Sequence, residues 1–174
     1  MFDKYYEHHL IDHKVNPEQH VLHRWMYNFE SERRRYVCLV ELFKHNIYVV
    51  KYYAAVHSKS NRKYQILFND EKPARIIRTC LNIMLEFINF DGKASFGFVA
   101  AYSASKKGKQ ETKANNQRYR IYKSVMVNFF GVKYFAHARS ARQGAYLLIN
   151  RKQRPIRIFK AHAEKMFHAI YRDF

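Results

Sequence analysis

Around residues 20 to 68 the apolar and aromatic residues of this chain fall into short runs: HVLHRWMYNF, RYVCLVELF, IYVVKYYAAV and KYQILF. Polar, turn-forming stretches separate them, namely SER, KHN and HSKSNR. Runs of strand length, rich in β-branched and aromatic side chains, predict three or four antiparallel strands in a meander. At Pro73 the period changes. Ile77, Leu81, Met84 and Ile88 follow at spacings of four, three and four, with Asn69 or Asp70 near the cap. This is one apolar face of a helix that ends at Asp91-Gly92. Residues 94–102 form an apolar run of strand length, and the lysine-rich loop SASKKGKQETK follows. A second helix is predicted over 114–130, with Tyr119, Tyr122, Met126 and Phe129 on one side and Gly131 as its stop. VKYFAHA and GAYLLIN read as two strands around the tight basic turn RSARQ. Pro155 opens the last helix, where Phe159, Ala163, Met166 and Ile170 face inward.

The order β-β-β-(β)-α-β-α-β-β-α predicts an α+β (or α/β) fold: a single mixed β-sheet with about three packed helices. Residues 1–20 are polar and carry His8, His9, His13 and His20, with Pro17 as a breaker. They are expected as an arm or short helix ahead of one basic domain over 21–174. With 48% hydrophobic residues, 14 Phe and 14 Tyr, the chain has the material for a real core, which excludes a disordered basic tail. Its longest apolar runs, 47–50 and 146–149, fall far short of a bilayer span. The first residues lack the basic-then-apolar pattern of a secretory signal. Cys38 and Cys80 lie in apolar segments and are expected as buried thiols in a reducing cytoplasm.

Charge changes the picture. Residues 105–174 hold 17 Lys and Arg against 3 Asp and Glu, a net of +14, while residues 1–104 hold 15 against 11, a net of +4. Self-repulsion of this size destabilises a compact chain unless a polyanion offsets it, and nucleic acid is the commonest polyanion. An anionic membrane is the rival partner. The chain has neither a lipidation motif nor a basic amphipathic helix with bulky apolar residues opposite, so no membrane partner is expected. The candidate nucleic-acid-binding residues are Lys106, Lys107, Lys109 and Lys113 in one loop, and Arg118, Arg120 and Lys123 in the helix after it. Arg139 and Arg142 flank the tight turn, and Arg151, Lys152, Arg154 and Arg157 straddle the start of the last helix. Lys and Arg side chains and the free N–H groups of helix starts are what phosphate oxygens bind. Tyr102, Tyr119, Tyr134 and Tyr146 interleave with these charges, which suits stacking on unpaired bases.

The run from KYQILF through ARIIRTCLNIMLEF, ASFGFVAAY and NNQRYRIYKSVMVNFFG to KYFAHA resembles the second half of the GNAT acetyltransferase superfamily. The stretch 115–122 is similar to an N-x-x-(R/Y)-x-x-(I/L)-Y signature in GNAT-like domains of mobile-element proteins. The resemblance covers roughly residues 36–150. It implies a GNAT-like element order, and it matches Tyr122 to the tyrosine that often protonates the leaving thiolate in that family. GNAT enzymes hold the cofactor pyrophosphate on backbone N–H groups of a (Q/R)-x-x-G-x-(G/A) turn. This chain has Arg75-Ile-Ile-Arg78-Thr-Cys80, with a long side chain in place of the first glycine. No cofactor is therefore expected, and Tyr122 is expected as a packing residue.

Other chemistry leaves little trace. There is no Walker loop, G-x-G-x-x-G, paired C-x-x-C or H-E-x-x-H. His9 and His13 have the spacing of two ligands on a helix, but with ten histidines such spacing arises by chance, and no metal is expected. Arg157-x-x-x-x-His162 has the spacing of a HEPN-type ribonuclease pair, again one that chance supplies. The leading expectation is a non-enzymatic, cytoplasmic protein that binds RNA or a ribonucleoprotein, an accessory or counter-defence factor of a phage or mobile element. The alternatives are a toxin-like GNAT N-acetyltransferase acting on a tRNA-borne substrate and a protein inhibitor that occupies the nucleic-acid channel of a nuclease.

Overall fold

The strand-length runs join into one sheet, and those at its centre, over 35–43, 47–54 and 145–150, are buried on both faces. The computed structural model describes residues 4–64, 72–99, 117–140, 145–153 and 155–170. The strands are β1 (His8–Glu18), β2 (Val21–Glu30), β3 (Arg35–Phe43), β4 (Ile47–Ala54), β5 (Ser95–Val99), β6 (Phe135–Ser140) and β7 (Ala145–Asn150). The helices are α1 (Pro73–Phe90), α2 (Gln117–Phe129) and α3 (Ile156–Ile170). The sheet order is β1-β2-β3-β4-β5-β7-β6. Neighbours are antiparallel except β4 and β5, which are parallel and joined through α1. This is the single mixed sheet with three helices that the element order predicts.

Helices cover both faces of the sheet. On one, Phe29, Tyr36, Tyr48 and Phe96 pack against Ile77, Leu81, Met84 and Phe87 of α1 and Tyr122 and Met126 of α2. On the other, Ile47, Val49 and Leu147 meet Phe159, Ala163 and Phe167 of α3. Gly97 lets α3 approach this closely, because a Cβ there would lie 2.7 Å from Phe167 Cζ. Farther along that face, on β2 to β4, Arg24 Nε donates to Glu41 Oε1 at 2.8 Å and Lys51 Nζ lies 2.6 Å from Glu41 Oε2. Burial opposes ionisation of Glu41, but these two cations outweigh it and hold the carboxyl below its usual range. Cys38 and Cys80 are free, buried thiols, and the Cys38 thiol is pushed up by its Cys80 neighbour and by burial.

Two expectations change. Residues 8–18, expected as an arm or helix, form the edge strand β1, paired along β2 from His8 opposite Phe29 to Glu18 opposite Val21. The polar composition that suggests an arm is that of a strand solvated along its edge, with irregularities in pairing near Ile11 and Asn16. On α2 the inward face carries Val125 as well as Tyr119, Tyr122 and Met126, whereas Phe129 is exposed. Its ring lies under the Arg78 guanidinium, 4.4 Å from Cζ. The strand expected over KYQILF lies for the most part outside the described residues.

Candidate nucleic-acid interface

Four turns meet at one end of the sheet, and two polar side chains of the β7–α3 connection tie them together. Asn150 Nδ2 donates to Gly92 O at 3.0 Å in the α1–β5 turn. Gln153 Nε2 donates to Lys93 O at 3.1 Å in the same turn and to His45 O at 3.2 Å in the β3–β4 turn. Arg151 N donates to Tyr134 O at 3.0 Å and Arg151 Nε to Val132 O at 2.7 Å, which fixes the α2–β6 turn. His45 and Asn46 hold φ of 65° and 56°, a left-handed bend that non-glycine residues adopt only where their surroundings hold it. Here Gln153 holds the His45 carbonyl, and Asn46 Nδ2 donates to Asp91 Oδ2 at 2.8 Å.

These turns are basic. Lys44, Lys93, Lys133, Arg151 and Lys152 are exposed there, and Arg157 is exposed in the first turn of α3. Asp91 is the one carboxylate in the sequence of the four turns (44–46, 91–94, 131–134 and 151–155), and it faces inward. Besides Asn46 it accepts from Tyr48 Oη at 2.9 Å and from Lys93 N at 2.9 Å. Burial opposes its ionisation, yet the three hydrogen bonds prevail and hold its carboxyl below the ordinary aspartate range. The four turns therefore present cations outward, with their one carboxylate already engaged.

The thirteen expected binding residues do not form one patch. Arg151, Lys152 and Arg157 belong to this end. Arg139, opposite Tyr146 on the β6–β7 ladder, lies toward the other end of β7, about 14 Å from Asn150 at the usual rise per strand residue. Arg120 and Lys123 are exposed on the first half of α2. Arg118 belongs to α2. Lys106, Lys107, Lys109, Lys113, Arg142 and Arg154 lie outside the described residues. Lys44, Lys93 and Lys133 were missed, because each stands alone in its segment and only the topology gathers them.

Of the interleaved tyrosines, Tyr119 and Tyr146 are buried in the core, Tyr102 lies outside the described residues, and Tyr134 is exposed. Tyr146 Oη donates to His137 Nδ1, since His137 Nε2 donates its proton to Phe130 O at 2.8 Å. Burial pushes the Tyr146 hydroxyl up to about 12 and, with Arg139 and Arg151 nearby, holds His137 below its usual value. Tyr122 packs on Phe98 with ring centroids 5.3 Å apart. His9 and His13 lie on a strand, opposite Asn28 and Trp25, so the helical spacing does not apply to them. His13 instead shares a hydrogen bond of 3.0 Å with His23 beside the Trp25 indole. No group of three or more His, Cys, Asp or Glu that could hold a metal occurs among the described residues. Arg157 and His162 are five apart on α3, which points them in different directions around its axis.

The segment matched to the cofactor turn, 75–80, lies inside α1, where Ile76, Ile77 and Cys80 are core residues. At the helix start Arg75 N and Ile76 N both bond to Lys72 O. Beside it, Lys72 Nζ and Arg75 Nη1 hold Glu32 at 2.8 and 3.0 Å, and Tyr6 Oη donates to the same carboxylate. β4 and β5 pair only from Ile47–Ser95 to Val49–Gly97, so their carboxyl-terminal halves are not paired to each other. No described helix is long and apolar enough to cross a membrane. Comparison of the chain with protein-family models, with curated proteins and with solved structures gives no match.

Proposed function

We propose that this chain binds RNA, alone or within a ribonucleoprotein, through the basic end formed by the four turns. The observation that carries this reading is the convergence of Lys44, Lys93, Lys133, Arg151, Lys152 and Arg157 at one end whose single turn carboxylate, Asp91, is already engaged. A phosphate backbone offsets the repulsion among these cations and releases its own counterions. The test is fluorescence anisotropy with a labelled single-stranded RNA over a salt series. Six phosphate contacts at roughly −0.7 each give a slope of about −4 in log K against log salt. Absence of binding at about 50 mM salt, or affinity that is flat with salt, overturns the proposal. Capture of a nuclease by a protein that ignores free RNA would turn it toward the inhibitor alternative.

The end of β4–β5 pairing after Val49 and Gly97 supports acetyl transfer as a second reading. In open sheets ligands settle outside the carboxyl ends of strands where the topology changes, and β4–α1–β5 is the parallel crossover here. Against it stand the bonded N–H groups at the start of α1 and the packed ring of Tyr122. Stabilisation of more than about 1 kcal/mol by millimolar acetyl-CoA in a thermal shift would move this reading to first place.

A further inference from the structure

Phe90 and Tyr134 are the most exposed aromatic side chains among the described residues, at 80% and 65%. Both stand at the basic end. Phe90 is the last residue of α1, next to Asp91, and Tyr134 lies in the α2–β6 turn. Neither ring contributes to the buried core clusters. The Tyr134 ring is nevertheless positioned: its carbonyl accepts from Arg151 N, Arg151 Nε holds the carbonyl two residues earlier, and Lys133 Nζ lies 5.3 Å from the ring centroid. An aromatic ring in solvent, on a backbone held in place and with a cation beside it, offers one surface to a base and another to its phosphates.

We propose that the ligand of this end is single-stranded RNA whose unpaired bases stack on Phe90 and Tyr134 while its phosphates meet the surrounding Lys and Arg side chains. This rests on the RNA-binding reading and adds which form of RNA is bound. A duplex keeps its bases stacked inside and presents backbone and groove edges, so it would engage the cations and leave both rings without a ligand. Stacking tolerates any base, so the site selects for strandedness more than for sequence.

The experiment uses the full chain and a labelled RNA of about twelve nucleotides, within the usual site size, alone and annealed to its complement. The single strand is expected to bind more tightly. Phe90→Ala and Tyr134→Ala are each expected to weaken it about 5- to 150-fold with an unchanged salt slope, because no charge is removed. Tyr134→Phe keeps the ring and the affinity. Val56→Ala, which trims a residue 76% exposed just beyond the carboxyl end of β4, is the matched control and leaves binding as it was. Since both rings are exposed, the melting temperature of each variant should match that of the parent. Duplex bound as tightly as the single strand, or alanine variants that bind like the parent, overturns the stacking proposal while salt-dependent RNA binding still stands. A parent protein that binds neither form overturns both.

Discussion

Asp91 is the residue on which the basic end depends most. Its carboxylate takes hydrogen bonds from Asn46, Tyr48 and the Lys93 amide, and Tyr48 is buried against the core. Asp91→Ala strands the Tyr48 hydroxyl and releases the His45–Asn46 bend, so a loss of about 1–3 kcal/mol in urea unfolding is expected. RNA affinity should hold or rise, since an anion leaves the site. His137 contributes to the response to pH. Burial, with Arg139 and Arg151 nearby, lowers its folded pKa, so the unfolded chain binds the proton more readily. Its contribution to stability is complete above the ordinary histidine pKa and is lost as pH falls through the lowered one. His137→Gln can still donate to Phe130 O and accept from Tyr146, and it does not titrate. The unfolding midpoint of this variant should fall less steeply than the parent's from neutral pH to about pH 5. A steeper fall would remove His137 as a cause.

Among the elements, α3 is held on the sheet by a missing side chain. Gly97 on β5 leaves room for the Phe167 ring, and an added Cβ would press on it at 2.7 Å. Gly97→Ala is expected to destabilise by about 1–3 kcal/mol through overpacking. In combination with Phe167→Leu the loss should be smaller than the sum of the two single losses, and a double variant that loses that full sum would show that the two positions are not coupled in this way. How far such contacts can be read from the chain differs by element. β2 to β4 are legible because their apolar runs have strand length and turn-like separators. α1 and α3 are legible because their apolar residues keep a helical spacing, although the position of Gly97 under Phe167 is a long-range contact with no local sign. β1 is not, because an edge strand solvated on one side has the composition of a loop. The site is half legible. Arg151, Lys152 and Arg157 stand out as a cluster, whereas Lys44, Lys93 and Lys133 are ordinary turn lysines until sheet order brings their turns together.

For the whole molecule, the net charge of +18 makes some attraction to any polyanion inevitable, so position has to be separated from sum. Three triple alanine variants remove equal charge: Lys44, Lys93 and Lys133 at the basic end; Lys106, Lys107 and Lys109; and Arg33, Arg34 and Arg35 from the β2–β3 turn into the first residue of β3, where Arg35 is paired with Glu30. The first should lower the salt slope by about 2, and the third should leave it nearly unchanged. Equal losses from all three would mean that total charge alone drives association. The sheet order has a separate consequence, for how the molecule is made. β7 lies between β5 and β6, yet it is the last strand among the described residues. β5 therefore emerges during synthesis with β4 on one side and an open edge on the other, and β6 has no place to dock until residues 145–150 follow. The sheet is completed only when β7 pairs with β5, a contact between segments about fifty residues apart. A chain interrupted before Ala145 carries a bare central strand, Ser-Phe-Gly-Phe-Val, of the kind that pairs with other chains.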